Sequence, residues 1–349
     1  MTPPPDQVRR ADLVLEGGGV KGVALAGAVV ELARNGYAFP RVAGSSAGAV
    51  AGCLVAALQA AGEPVARLED VLRAVDLRRF RDVSGIGRLP LVGRGLALLA
   101  HDGLYDGRYL ERFLTGALGE LGVRTFGDLR LPDPGTSLSP AQSSRLVVTA
   151  SDLSRRRLAR LPWDLPSYGV DPDDYPVARA VRASSAIPFF FRPVVQPTPD
   201  GDATWVDGGL LSNFPVDLFD RTDGAPPRWP TFGVRLTARP GTPPATHPVH
   251  GPFGIGLAAL DTLLTDQDAA HVEDPCTVVR TVFVPTDGVS AVDFGLDDAA
   301  QDALSAAGTA AARSFLAGWD WPSYLRQCRG GTPLPVASSR VAPDQPGLW

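Results

Sequence analysis

Apolar residues in this chain fall into short runs, each closed by glycine or a polar turn. Leu13-Val14-Leu15 is compact enough for a strand and opens directly into glycines. Residues 21–35 then have the length and the alanine/valine content of a helix, stopped by Gly36, the residue type that follows helix ends in the left-handed conformation. Residues 39–43 form a second strand-like run and residues 47–60 a second helix, closed by Gly62. Strand then helix, twice over, predicts an α/β fold around a mostly parallel sheet, flanked by helices in three α/β/α layers. In such sheets the site lies at the carboxyl ends of the strands, where both glycine turns would meet.

Further along, residues 107–121 and 176–184 read as helices. Residues 145–150 form a β-branched strand with a hairpin partner at 158–161, and residues 203–206 a strand running into Asp207-Gly208-Gly209. Residues 231–237 and 277–284 read as two more strands, and 297–317 as a helix whose apolar stripe is broken by Gly308. Between them, residues 131–142 are a Pro/Ser-rich loop. Residues 76–106 interleave Arg78, Arg79, Arg81, Arg88 and Arg94 with aliphatic side chains, the composition of a lid or of a segment that docks on an anionic lipid surface. The organisation expected is a disordered lead over 1–10, one domain over 11–320 and a flexible tail over 330–349.

Composition narrows the function. A net charge of -5 over 349 residues gives no general attraction to nucleic acid. The apolar residues 47–61 are too few and too alanine-rich to span a membrane. Cys53, Cys276 and Cys328 are odd in number and show no metal-ligand spacing, so buried free thiols and no metal are expected. With no leader segment legible at the start, the expected location is the cytoplasm, peripheral to a membrane surface. One lysine stands among 33 basic residues, and it is Lys21, inside Gly17-Gly18-Gly19-Val20-Lys21-Gly22.

Successive glycines between a strand and a helix expose backbone N–H groups at the helix start, a site for an anion or a developing oxyanion. Gly44-Ser45-Ser46-Ala47-Gly48 repeats the layout with Ser46 at the bend, a G-x-S-x-G turn that leaves a hydroxyl exposed. Serine needs a base to become a nucleophile. None of the four histidines, His101, His247, His250 and His271, stands in a turn that a sheet would aim at Ser46. Asp207, at a strand end before Gly208-Gly209, is the better candidate.

Four blocks in this order, Gly17–Gly22, Gly-Ser-Ser-Ala-Gly at 44–48, Ala-Ser-Ser-Ala-Ile-Pro at 183–188 and Asp-Gly-Gly at 207–209, resemble the signature of the patatin-like phospholipase family. The resemblance implies a lipid acyl hydrolase with a Ser–Asp dyad, no catalytic histidine, and no metal or cofactor. Ser46 would be the nucleophile and Asp207 the base. The loop of Gly17, Gly18, Gly19, Val20, Lys21 and Gly22 would be the oxyanion hole, with Gly44, Gly48, Gly208 and Gly209 supporting the turns. Lys21 replaces the arginine often found in the family; a structural role, pinning the loop on a carboxylate, is the favoured expectation for it. The block at 183–188 reads as scaffolding and Phe189-Phe190-Phe191 as core. The implied partner is a phospholipid or other acyl ester met at a membrane surface, with no nucleic acid; the oligomeric state stays open. A transacylase, a neutral-lipid esterase and a non-catalytic lipid-binding protein remain as alternatives. A dinucleotide site, suggested by G-x-G-x-x-G at 17–22, lacks the acidic residue wanted after the second strand, which here ends Val42-Ala43-Gly44.

Overall fold

A computed structural model describes residues 9–76, 79, 103–133, 138–139, 142–237, 262, 274–286, 289–291 and 294–330. Most of the arginine-studded segment, the four histidines, residues 1–8 and the tail beyond Gly330 lie outside the described residues.

The chain begins with strand β1 (Asp12–Leu15), passes through a 3-10 turn (Gly19–Gly22) into helix α1 (Val23–Arg34), and returns as β2 (Val42–Gly44) followed by α2 (Ala47–Ala60). After α3 (Arg67–Arg73) and α4 (Arg108–Glu120) come β3 (Leu146–Asp152), its hairpin partner β4 (Arg157–Leu161) and α5 (Val177–Ser184). The sheet is completed by β5 (Val194–Gln196), β6 (Ala203–Asp207), β7 (Thr231–Arg235) and β8 (Thr281–Phe283), and α6 (Asp298–Gly318) follows.

Strands β8, β7, β1, β2 and β3 lie side by side and parallel, while β4, β6 and β5 run antiparallel to their neighbours. The α/β class and the mostly parallel sheet are as the sequence predicts. Alternation along the strands sorts the core: Leu13, Leu15, Val42, Leu146 and Val148 face the helices, whereas Val14, Ala43 and Val147 pack on Phe214, Val216 and Phe219. On the helical face α6 lies against α1. Gly308 is what lets it: a Cβ there would sit 2.0 Å from the Ala24 carbonyl oxygen, and one on Gly27 would sit 2.0 Å from that of Ser305. The break in the apolar stripe is thus a helix crossing.

Several boundaries differ from the sequence reading. Residues 277–284 are not one strand: Asp274 caps a helical turn (Pro275–Val278), and the strand starts only at Thr281. The pattern there fits either element, and Asp-Pro ahead of it is the helix-start signal that decides. Tyr37–Ala38 pairs in parallel with Arg9–Arg10, so the last two residues of the expected disordered lead are part of the fold. Cysteine usage is the clearest correction. Cys276 and Cys328 form a disulfide across 52 residues, with Cα atoms 5.5 Å apart, and Cys53 is the buried free thiol. Spacing carried no sign of that pairing because only the return of the chain after α6 brings the two together.

Candidate active site

The strand register explains how two residues 161 apart in sequence meet. Along β3, Val148 faces Gly44 of β2 and also Leu161 of β4, so β2 and β4 occupy opposite edges at that level. Two residues on, Ala150 faces Ala159 of β4 and Asp207 of β6, so β6 takes the same edge as β2. Parallel β2 and antiparallel β6 therefore abut end-on, carboxyl terminus toward carboxyl terminus. Ser46 leaves one terminus and Asp207 stands at the other.

Ser46 sits at φ 51°, ψ -121°, a conformation that a non-glycine residue holds only when its surroundings enforce it. What enforces it is on both sides of the turn. A Cβ on Gly44 would lie 2.3 Å from the carbonyl carbon of Gly48, and one on Gly48 would lie 2.1 Å from the Leu15 carbonyl oxygen. The Ser46 N–H donates to Ser184 Oγ at 2.9 Å, and the Ser185 hydroxyl donates to the Ser46 carbonyl at 3.4 Å. Ser45 is engaged elsewhere, with Thr149 Oγ1 at 2.6 Å and the Ser212 carbonyl at 2.7 Å.

The Ser46 hydroxyl donates to Asp207 Oδ2 at 2.7 Å, and both residues are buried, at 5% and 1% exposure. Asp207 Oδ1 accepts from the Gly209 N–H at 2.8 Å, and the Asp207 N–H donates to the Ala186 carbonyl at 2.9 Å. Among the described residues no cation stands against this carboxylate. Burial dominates its titration and pushes the pKa up from 3.8 to about 7, against the lowering effect of the bonds from Ser46 and Gly209.

Not every N–H of the glycine loop faces inward. Gly17 donates to the Asn213 carbonyl at 3.2 Å, Val20 to the Ala291 carbonyl at 3.0 Å and Lys21 to the Gly18 carbonyl at 3.2 Å. The N–H groups of Gly18 and Gly19 have no acceptor among the described residues. The Lys21 ammonium has no carboxylate partner among them either, contrary to the pinning expected of it. A buried pair anchors the loop instead: Glu16, directly ahead of Gly17, accepts from Arg235 Nε at 2.7 Å and from the Leu236 N–H.

Over the serine lies an apolar cleft lined by Val20, Val23, Ala47, Val50, Leu72, Val75, Leu110, Ile187, Phe191 and Phe294. The three phenylalanines separate in role: Phe191 lines the cleft, Phe190 packs on the cluster beside it, and Phe189 is 49% exposed. Ser184, Ser185, Asn213 and Ala291 were not singled out by sequence reasoning. Ser184 and Ser185 did lie inside a recognised block, which was the available signal for them. Ala291 acts through a backbone carbonyl that any residue supplies, so its identity carried none; Asn213 both accepts from Gly17 through its carbonyl and donates from its side-chain amide to the Gly17 carbonyl at 3.3 Å, a pairing set by the fold and not by any local motif.

Comparison with known proteins defines the class. A family model for patatin-like phospholipases matches residues 13–220, and the chain belongs to that family, whose members are lipid hydrolases. The chain is 37% identical over 311 residues to the uncharacterized protein YqhO of Bacillus subtilis (strain 168), covering 89% of this chain and 99% of that one. It is 28% identical over 217 residues to the uncharacterized NTE family protein Rv2565 of Mycobacterium tuberculosis (strain ATCC 25618 / H37Rv), covering 62% of this chain but 29% of that protein. Among solved structures it is similar to VipD from Legionella pneumophila, with a TM-score of 0.49 and 16% identity over 90% of this chain and 67% of that one.

Proposed function

We propose that the protein is a serine lipid acyl hydrolase of the phospholipase A or lysophospholipase type, cleaving fatty acyl esters through Ser46 and Asp207. One observation carries the reading: the 2.7 Å bond from the Ser46 hydroxyl to a buried carboxylate with no cation beside it among the described residues, at the floor of an apolar cleft. A base with a pKa near 7 is matched to work at neutral pH, ionised often enough to act and basic enough to take a proton.

In this mechanism the acyl chain lies along the cleft with its ester carbonyl over Ser46. Asp207 takes the Ser46 proton as the oxygen attacks. The tetrahedral oxyanion is met by the N–H groups of Gly18 and Gly19, and the N-terminus of α2 adds a favourable dipole. Collapse expels the alcohol, which receives the proton from Asp207 and leaves an acyl-enzyme. Water then gives a proton to Asp207 and its oxygen to the acyl carbon; release of the fatty acid returns a proton to Ser46. The sequence of steps calls for no cofactor.

Contact with a membrane surface belongs to the same reading. Phe189 and Leu211, 49% and 38% exposed, are chain neighbours of Phe190 and Leu210, which pack on the cluster beside the cleft. Among the described residues no helix is long and apolar enough to cross a membrane. The deciding experiment is mass-spectrometric detection of free fatty acid from mixed phospholipid, lysophospholipid and triacylglycerol vesicles. Release by the wild type that disappears in Ser46→Ala and Asp207→Asn is the expected result; release that survives either substitution refutes the dyad.

A further inference from the structure

At the opposite rim of the sheet, where β1, β2 and β3 begin, lies a second and larger cleft of about 790 Å³. Its lining includes Arg10, ahead of β1, Arg34, in the last turn of α1, and Arg145, ahead of β3. The carboxylates that share the lining are already engaged: Glu63 with Arg67 at 3.1 Å and Asp133 with Arg228.

Among the described residues many arginines sit on carboxylates, and these three do so weakly or not at all. Arg145 is half-buried and makes no side-chain hydrogen bond or ion pair among the described residues. Burial lowers its pKa and no neighbouring charge opposes that shift. Arg10 lies over the Trp229 ring, 5.6 Å from its centroid, with no carboxylate among the described residues. Arg34 is 3.9 Å from Glu31, but Glu31 is held more closely by Arg313 at 2.9 Å. The carboxyl ends of α1 and α2 contribute partial negative charge at this rim. At α1 it is Arg9 that answers it, through the Asn35 carbonyl. Three arginines thus line one cleft whose own acids are paired with other arginines.

We propose that this cleft is a binding site for a phosphate-bearing anion, gripped by Arg145 with Arg10 and Arg34. Guanidinium suits the role because its planar fork donates two parallel hydrogen bonds to a phosphate, and a half-buried group gains from a partner that restores what desolvation took. The chemistry is shared by a free phosphorylated solute and by the phosphate of an anionic lipid headgroup. The site lies at the far end of the strands from Ser46 and does not depend on the hydrolytic reading.

The test is calorimetric titration of the full chain with pyrophosphate, in parallel with sedimentation on phosphatidylcholine vesicles with and without phosphatidic acid. Each is repeated with Arg145→Gln and Arg10→Gln, and thermal unfolding verifies that both variants are folded. Loss of a charge-assisted bond weakens binding by about tenfold or more. Pyrophosphate binding that falls by that factor in both variants supports a free ligand. An increment in vesicle binding that requires phosphatidic acid and vanishes in both variants supports a headgroup. Neither probe binding, or binding indifferent to both substitutions, overturns the proposal.

Discussion

Replacing Asp207 by Asn should make the protein more stable, and by an amount that depends on pH. The side chain keeps its shape, and with its oxygen accepting from the Gly209 N–H its amide can donate to Ser46 Oγ, but it no longer ionises. In the wild type, burial holds the carboxyl's pKa at about 7 against 3.8 when exposed. The folded state therefore keeps its proton between those two values while the unfolded chain has lost it, and stability falls as pH rises through that window. The full penalty above pH 7 is about 4 kcal/mol, and the portion that accrues between pH 5 and pH 8 is about 3 kcal/mol. Urea unfolding of the two proteins at pH 5 and pH 8 reads this directly. Every other titrating group cancels in the difference, so the stability gained by Asp207→Asn should be about 3 kcal/mol larger at pH 8 than at pH 5. Activity reports the same ionisation from the other side: hydrolysis of a soluble ester by the wild type should rise with pH, reach half its plateau near pH 7 and level off above about pH 8, falling to about 1% of the plateau at pH 5. A gain in stability that is flat with pH, together with an activity profile turning near pH 4, would refute the claim that this carboxylate is shifted by burial.

Ser184→Ala strips the acceptor from the Ser46 N–H, at a cost of about 1–3 kcal/mol for a buried unpaired donor; turnover of a soluble ester should drop while KM holds, and unchanged turnover would show that the bond does not position the nucleophile. Gly308→Ala places a methyl group against the Ala24 carbonyl and should lower stability by about 1–3 kcal/mol, read from thermal unfolding; no loss would mean that the two helices separate freely. Reducing the Cys276–Cys328 bridge opens a loop of 52 residues and should cost about 4 kcal/mol on the loop-entropy account. Thiol titration of the denatured, unreduced protein should then find one free cysteine, and three would overturn the pairing.

Local patterning made much of this molecule readable from its sequence. The helix at Ala47–Ala60 and the turn ahead of it follow from an alanine-rich run between Gly44 and Gly62, and the β3–β4 hairpin from a β-branched apolar run and its partner on either side of a polar turn. The glycine turns and the candidate pair Ser46 and Asp207 were legible because a strand-to-helix bend of this kind needs small residues at fixed spacing. Direction was not. Nothing in residues 203–207 says that β6 runs against β3 and abuts β2, since strand orientation is decided by the connections and not by the strand's own pattern. The employment of individual N–H groups was hidden for the same reason: that Val20 donates to Ala291 depends on a segment 271 residues downstream.

The stretch that the family model matches and the stretch that must fold together are not the same. That match ends at residue 220, yet β7 is inserted between β1 and β8 well beyond that point. Arg235, on β7, supplies the countercharge for buried Glu16, and α6 covers α1. A chain ending at 220 would leave β1 as a bare edge and Glu16 as a lone buried acid directly ahead of the glycine loop. The C-terminal third is thus an internal part of the hydrolase body. Grafting residues 13–220 into another protein as a portable catalytic module would transfer the motifs without the support that gives them shape.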